Sequence, residues 1–158
     1  MAAAAAPHPK VNVSICINAP IERVWQSVRA FCDLSWCGMT CVPESEERLS
    51  AKENLIGMKR LITVAPGATV VEILTAFSEA DHYYSYHITH WEKVFPGKVE
   101  NYHATLRLQK ITVGDQTLAQ WTAEFDGEAE TVEAVANMVK EGVFEGGLKR
   151  LRDLCQGE

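Results

Sequence analysis

The sequence contains no apolar run approaching the roughly 18 residues of a membrane-crossing helix. It also has no basic cluster longer than pairs such as Lys59-Arg60 and Lys149-Arg150. The first absence excludes a helical membrane span. The second excludes the concentrated positive surface that nucleic-acid backbones require. The balance is acidic instead: 15 Lys and Arg against 21 Asp and Glu give a formal charge of -6. There is no glycine-rich phosphate loop, because Gly142, Gly146 and Gly147 lie far from any strand-to-helix turn. Metal-ligand spacing is lacking as well. Cys32, Cys37 and Cys41 are not paired as in a zinc knuckle, and His87 and His90 have no third ligand at a convincing spacing. No metal and no cofactor is expected. The cysteines number five, an odd count, with no secretory signal. Free thiols in a reducing compartment are expected, hence a cytoplasmic location with organelle import left open.

The 158 residues suit one domain. Residues 1–9, MAAAAAPHP, are interrupted by Pro7 and Pro9 and read as a disordered tail, leaving 10–155 as the domain. From Lys10 to Asn18, Val11, Val13, Ile15 and Ile17 alternate with polar residues, the period of a half-buried strand. Pro20 then suits the first turn of a helix, and Ile21, Val24, Trp25, Val28 and Phe31 recur at helical spacing. Asp33 is placed to cap a second short helix through Trp36 and Cys37. Six further strands follow, at 40–49 (an edge strand, from Pro43), 57–64, 69–77, 83–89, 102–108 and 117–125. Residues 50–55 read as a turn and 90–98 as a loop. A long helix from Glu128 to about Cys155 presents Val132, Val135, Ala136, Val139, Val143, Leu148, Leu151 and Leu154 close to one stripe. Its glycines mark either a bend or room for close approach or a ligand. An antiparallel sheet with this helix on its apolar face follows, since each apolar face needs a partner.

Some inward positions are not apolar. Arg60 is in step with Met58 and Ile62, Glu72 with Val70 and Leu74, Tyr86 with Tyr84 and Ile88, and Tyr102 lies on the apolar face of its strand. A lone buried charge is very costly. Three arrangements remain open: a buried Arg60–Glu72 pair capped by tyrosine hydroxyls, the same residues lining a ligand cavity, or reversed parity with both charges in solvent. In a cavity, Glu72 would act as general base or acid. Arg60 would hold an anionic oxygen, and Tyr86 or Tyr102 would donate to a developing oxyanion. Trp25, Met58, Tyr84, Leu106, Trp121, Met138, Val139 and Gly142 are expected in the cavity wall. Trp91 and Phe95 in the 90–98 loop are either wall or lid.

The stretches VNVSICINAPIERVWQSVRAFCDLSW, IGMKRLITV, TVVEILTAF, YYSYHI, NYHATLRL, AQWTAEF and EGVFEGGLKRL resemble the polyketide cyclase/dehydrase group of the START/Bet v 1-like (SRPBCC) superfamily. The likeness spans about residues 10–154. It implies an α+β helix-grip fold, a curved seven-stranded antiparallel sheet around a long C-terminal helix, with an apolar cavity. Around the expected site the chain is similar to the lachrymatory factor synthase branch. That resemblance implies functional roles for Arg60 in GMKR, Glu72 before ILTAF, Tyr86 in YSY and Tyr102 in NYHATL. Two functions are expected. The first is carriage or sensing of a small hydrophobic molecule with a polar head, a carbonyl or an acid. The alternative is a cofactor-free cyclase, dehydratase or isomerase, a lyase-like proton-transfer enzyme. A monomer or weak homodimer is expected.

Overall fold

The computed structural model describes residues 10–43 and 54–157. The expected tail 1–9, the second part of the strand expected at 40–49 and most of the turn expected at 50–55 lie outside the described residues.

Period-two patterning produces the strands. β1 (Val11–Ile17) leads through Pro20 into α1 (Ile21–Val28), which buries Ile21, Val24, Trp25 and Val28. After α1, Asp33 Oδ1 accepts the Ser35 backbone N–H at 3.0 Å and its hydroxyl at 2.6 Å. A single 3-10 turn, Ser35–Cys37, follows where the sequence suggests a short helix, and its N-cap is Leu34, not the expected Asp33. β2 (Thr40–Pro43) is short and ends at a proline that cannot donate to a ladder. Then come β3 (Lys59–Ala65), β4 (Ala68–Ser78), β5 (Tyr83–Glu92), β6 (Glu100–Ile111) and β7 (Gln116–Asp126). They form one antiparallel sheet in the order β1-β7-β6-β5-β4-β3-β2, so β2 is an edge strand.

β5 runs three residues further than its pattern suggests. Its pairing with β4 passes an irregularity: Glu72 lies opposite Ile88 and Val71 opposite His90, leaving Thr89 unpaired. A bulge of this kind changes parity while ladder pairing continues. Trp91 is therefore in a strand, opposite Val70, and not in a loop.

The chain is helical from Ala129 to Gln156, in three pieces: α2 (Ala129–Val139), a π turn (Lys140–Glu145) and α3 (Gly146–Gln156). A π turn holds one extra residue, so it rotates everything that follows by about 100° relative to an unbroken α-helix. Ahead of it Val135 and Val139 are buried; within it Phe144 is, and beyond it Gly147, Leu148, Leu151 and Cys155. Were this same sequence an unbroken α-helix, the stripe would continue through Val143 to Leu154. Leu154 is instead 52% exposed and Cys155 5%, which corrects the stripe read from sequence. Burying an aromatic such as Phe144 against the sheet is worth about 1.5–3 kcal/mol. Seven curved strands gripping this C-terminal helix make an α+β helix-grip fold.

Candidate functional site: a cavity with a buried ion pair

Arg60 on β3 and Glu72 on β4 are direct register partners. Their shared parity turns both side chains inward, where Arg60 is 1% and Glu72 5% exposed. Arg60 Nε donates to Glu72 Oε1 at 2.9 Å, and Nη2 meets the same oxygen at 2.9 Å. Nη1 donates to the Phe31 carbonyl at 2.6 Å. The guanidinium also lies 4.0 Å from the Phe31 ring centroid and 4.7 Å from that of Tyr86. This overturns the solvent-facing arrangement. The buried pair and the cavity wall coexist, because the pair forms part of that wall; the Tyr86 hydroxyl bonds the Trp121 indole instead of capping the pair.

The cavity lies between the β3–β6 face and the junction of α2 with the π turn. Its space between atoms is about 550 Å³, part of it open to solvent, and the room for the centre of a water-sized sphere is about 70 Å³. Arg60, Glu72, Tyr86 and Tyr102 all line it. Among the described lining residues the polar contributions come from these four and the Trp121 indole; the rest are apolar, with Ile62, Val70, Ile88, Phe95, Met138, Val139 and Phe144 among them.

The tyrosines are held differently. Tyr86 accepts a hydrogen bond from Trp121 Nε1 at 3.0 Å, which leaves its own O–H free to donate. Trp121 in turn stacks on Phe144 at 4.2 Å. Tyr102 is stacked between Phe95 at 5.9 Å and Phe125 at 5.5 Å.

Burial dominates the electrostatics. It pushes the Glu72 carboxyl above the ordinary carboxylate value, against the pull of the Arg60 charge and hydrogen bond. Burial opposes the charge on Arg60, but Glu72 beside it, with Tyr84 and Tyr86, more than restores it. Tyr86 and Tyr102 are pushed up, by burial first and then by the Glu72 charge, so both stay protonated. The site thus combines a carboxyl of raised proton affinity with two phenolic donors.

The expected wall divides into two groups. Phe95, Trp121, Met138 and Val139 line the cavity with the four polar residues. Trp25, Met58, Tyr84, Trp91, Leu106 and Gly142 are not among its lining residues. Trp25 stacks on Phe77 and donates to Glu79 near the far end of β4, about 17 Å along the strand from Glu72 at 3.3 Å per residue. Met58, Tyr84 and Leu106 are buried within the packed core. Tyr84 packs edge-on against Phe31, and burial pushes its hydroxyl up to about 12. Trp91 packs edge-on against Phe95, which alone of the two reaches the wall. Gly142 faces open space on the outer side of the π turn.

Other wall residues escaped the sequence reading. Ile62, Val70 and Ile88 each lie two residues from Arg60, Glu72 and Tyr86, so strand parity carried the signal. Leu34 and Met39 come from the irregular segment around the 3-10 turn, and Phe144 reaches the wall only through the π turn.

Among the described residues, no group of three or more His, Cys, Asp or Glu side chains could hold a metal ion. No helix among them is long and apolar enough to cross a membrane.

Residues 8–156 match the family model described as polyketide cyclase / dehydrase and lipid transport. Among solved structures, a protein of Nitrosospira multiformis is 25% identical, with a TM-score of 0.73 over 92% of this chain and 94% of that one. The XoxI protein of Bacillus cereus is also 25% identical, with a TM-score of 0.74 and the same coverage. Ara h 8.0201, at 13% identity, shares the fold with a TM-score of 0.67 over 93% of this chain and 97% of that one. Among curated proteins, none matches significantly in sequence.

Proposed function

The chain belongs to the polyketide cyclase/dehydrase and lipid transport family, and from that premise we propose that it catalyses cofactor-free proton transfer on a small, largely apolar molecule held in the cavity. The reaction class is cyclisation, dehydration or isomerisation. The observation carrying this reading is Glu72: a buried carboxyl of raised proton affinity in an otherwise apolar wall, facing the same space as two protonated tyrosines. A buried carboxyl of perturbed proton affinity facing a cavity is the pattern of a general acid or base.

In the proposed reaction the substrate oxygen accepts hydrogen bonds from Tyr86 and Tyr102. Glu72, as carboxylate, takes a proton from the adjacent carbon. The C–H electron pair moves toward the oxygen, where the phenolic donors stabilise the developing charge. Glu72 then returns the proton, to another carbon in an isomerisation or to a departing hydroxyl in a dehydration. Arg60 orients Glu72 through Nε and Nη2 and is itself anchored on the Phe31 carbonyl. General base catalysis of this kind contributes about 10²–10⁴ in rate. The resemblance of these four positions to lachrymatory factor synthases supports proton transfer by Glu72. The five free thiols suit a reducing compartment such as the cytoplasm.

The test is hydrogen–deuterium exchange at the acidic carbon of a small apolar ketone such as tetralone, followed by NMR. The wild type should accelerate exchange, and E72Q should lose about 10²-fold or more of that acceleration while still binding the ketone. Equal exchange in both proteins would remove Glu72 from the chemistry. A carrier or sensor is the second reading, favoured by the apolar character of most of the wall. It predicts tight retention of a copurified molecule in native mass spectrometry and ligand affinity that survives E72Q.

A further inference from the structure

We infer that the cavity selects uncharged ligands and rejects anions, so that a carboxylate or sulfonate head is excluded where a ketone, alcohol or aromatic amine of the same skeleton enters. This rests on the reading of the cavity as the binding site and adds the ligand's charge class.

Among the described residues, Arg60 and Glu72 are the charged residues of the wall, and their charges cancel. Glu72 already occupies the guanidinium's useful edge. Nε and Nη2 converge on its Oε1, and Nη1 is turned to the Phe31 carbonyl. The Phe31 and Tyr86 rings flank the guanidinium plane. No two-pronged fork remains for a second carboxylate, the geometry in which arginine binds anions best. An entering anion would meet a carboxylate in an apolar surround, in a protein whose formal charge is -6. It would lose its hydration with no free cation among the described wall residues in return. A neutral oxygen avoids that cost and finds the Tyr86 O–H, whose lone pair is already engaged by Trp121. The acidic head that the sequence leaves open is therefore disfavoured, and Glu72 is the selectivity-determining residue. Removing its charge would leave Arg60 unpaired and turn the same cavity into an anion site.

The experiment compares two fluorescent dyes on one skeleton: neutral N-phenylnaphthylamine and its sulfonate, anilinonaphthalene sulfonate. The neutral dye is the more apolar, so the decisive quantity is the ratio of the two affinities and its response to charge. V143W, which fills the cavity, identifies surface binding. In the wild type the sulfonate should bind at least about tenfold more weakly than the neutral dye and fail to displace it. In E72Q the sulfonate-to-neutral affinity ratio should rise by about tenfold or more. R60M/E72L, neutral again, should return it to the wild-type value. A wild-type cavity that takes both dyes equally overturns the inference. So does an unchanged ratio in an E72Q protein that still binds the neutral dye. If neither dye binds the wild type in a V143W-sensitive manner, the cavity reading itself falls and takes the inference with it.

Discussion

Arg60 and Glu72 face each other across the β3–β4 ladder, and two guanidinium nitrogens reach a single carboxylate oxygen at 2.9 Å. Removing one member leaves the other charged and buried. R60A or E72A should each lower unfolding free energy by about 3–5 kcal/mol, whereas R60M/E72L should be neutral or more stable than the wild type. Urea unfolding of the three variants checks this. Single variants as stable as the wild type would mean that water reaches the pair freely.

Burial makes native Glu72 hold its proton more tightly than Glu72 in the unfolded chain. Between the ordinary carboxylate value and the raised native value, the native state therefore binds more protons than the unfolded state. Stability from this group is fully present below that window and is lost as pH rises through it. The stability difference between wild type and E72Q should fall with rising pH across the window and level off above it. Unfolding midpoints of both proteins, measured from mildly acidic to neutral pH, decide the sign. In the ketone exchange reaction the same group predicts a rate that climbs with pH in the same window.

Two glycines in α3 should respond oppositely to alanine. A Cβ on Gly147 would sit 3.0 Å from Trp121 Cζ3 and 3.1 Å from Cys37 Cβ, whereas one on Gly146 meets nothing within 4 Å. G147A should cost about 1–3 kcal/mol through overpacking. G146A should gain up to about 1 kcal/mol from helix propensity. Thermal unfolding distinguishes them, and a stabilised G147A would show that the helix can move away from the sheet there.

Deleting exposed Glu141 should convert the π turn into ordinary helix, because the extra residue is what the turn accommodates. Phe144 would stay in step with Leu148, Leu151 and Cys155, so the fold should persist by circular dichroism. Val143 would rotate away from the wall, and affinity for the neutral naphthylamine dye should change by about tenfold or more. Unfolding of the deletion variant would show that α3 cannot follow the shift.

The four polar residues of the cavity were legible because strand parity is binary. Once Met58 and Ile62 are assigned inward, Arg60 follows, and Tyr86 follows Tyr84 in the same way. For Glu72 the pattern alone does not decide, since Val70/Glu72 and Val71/Ile73 both give tolerable faces. Its register opposite Arg60 removes the ambiguity. Trp25 misled because an aromatic on an apolar helix face reads alike over a void or over Phe77. Parity tells a side chain which face it takes, but not what lies beyond it.

The sequence by itself determined the strand alternation, the covering helix and the inward placement of two opposite charges, since all are periodicities of a few residues set by backbone geometry. Tertiary packing alone settled where the interior is filled and where a cavity remains. It also decided that Thr89 is unpaired and that a π turn brings Phe144 onto the wall. Those outcomes depend on how separate elements fit in space, where a one-residue shift in a helix or ladder is worth too little locally to be seen in the pattern of side chains.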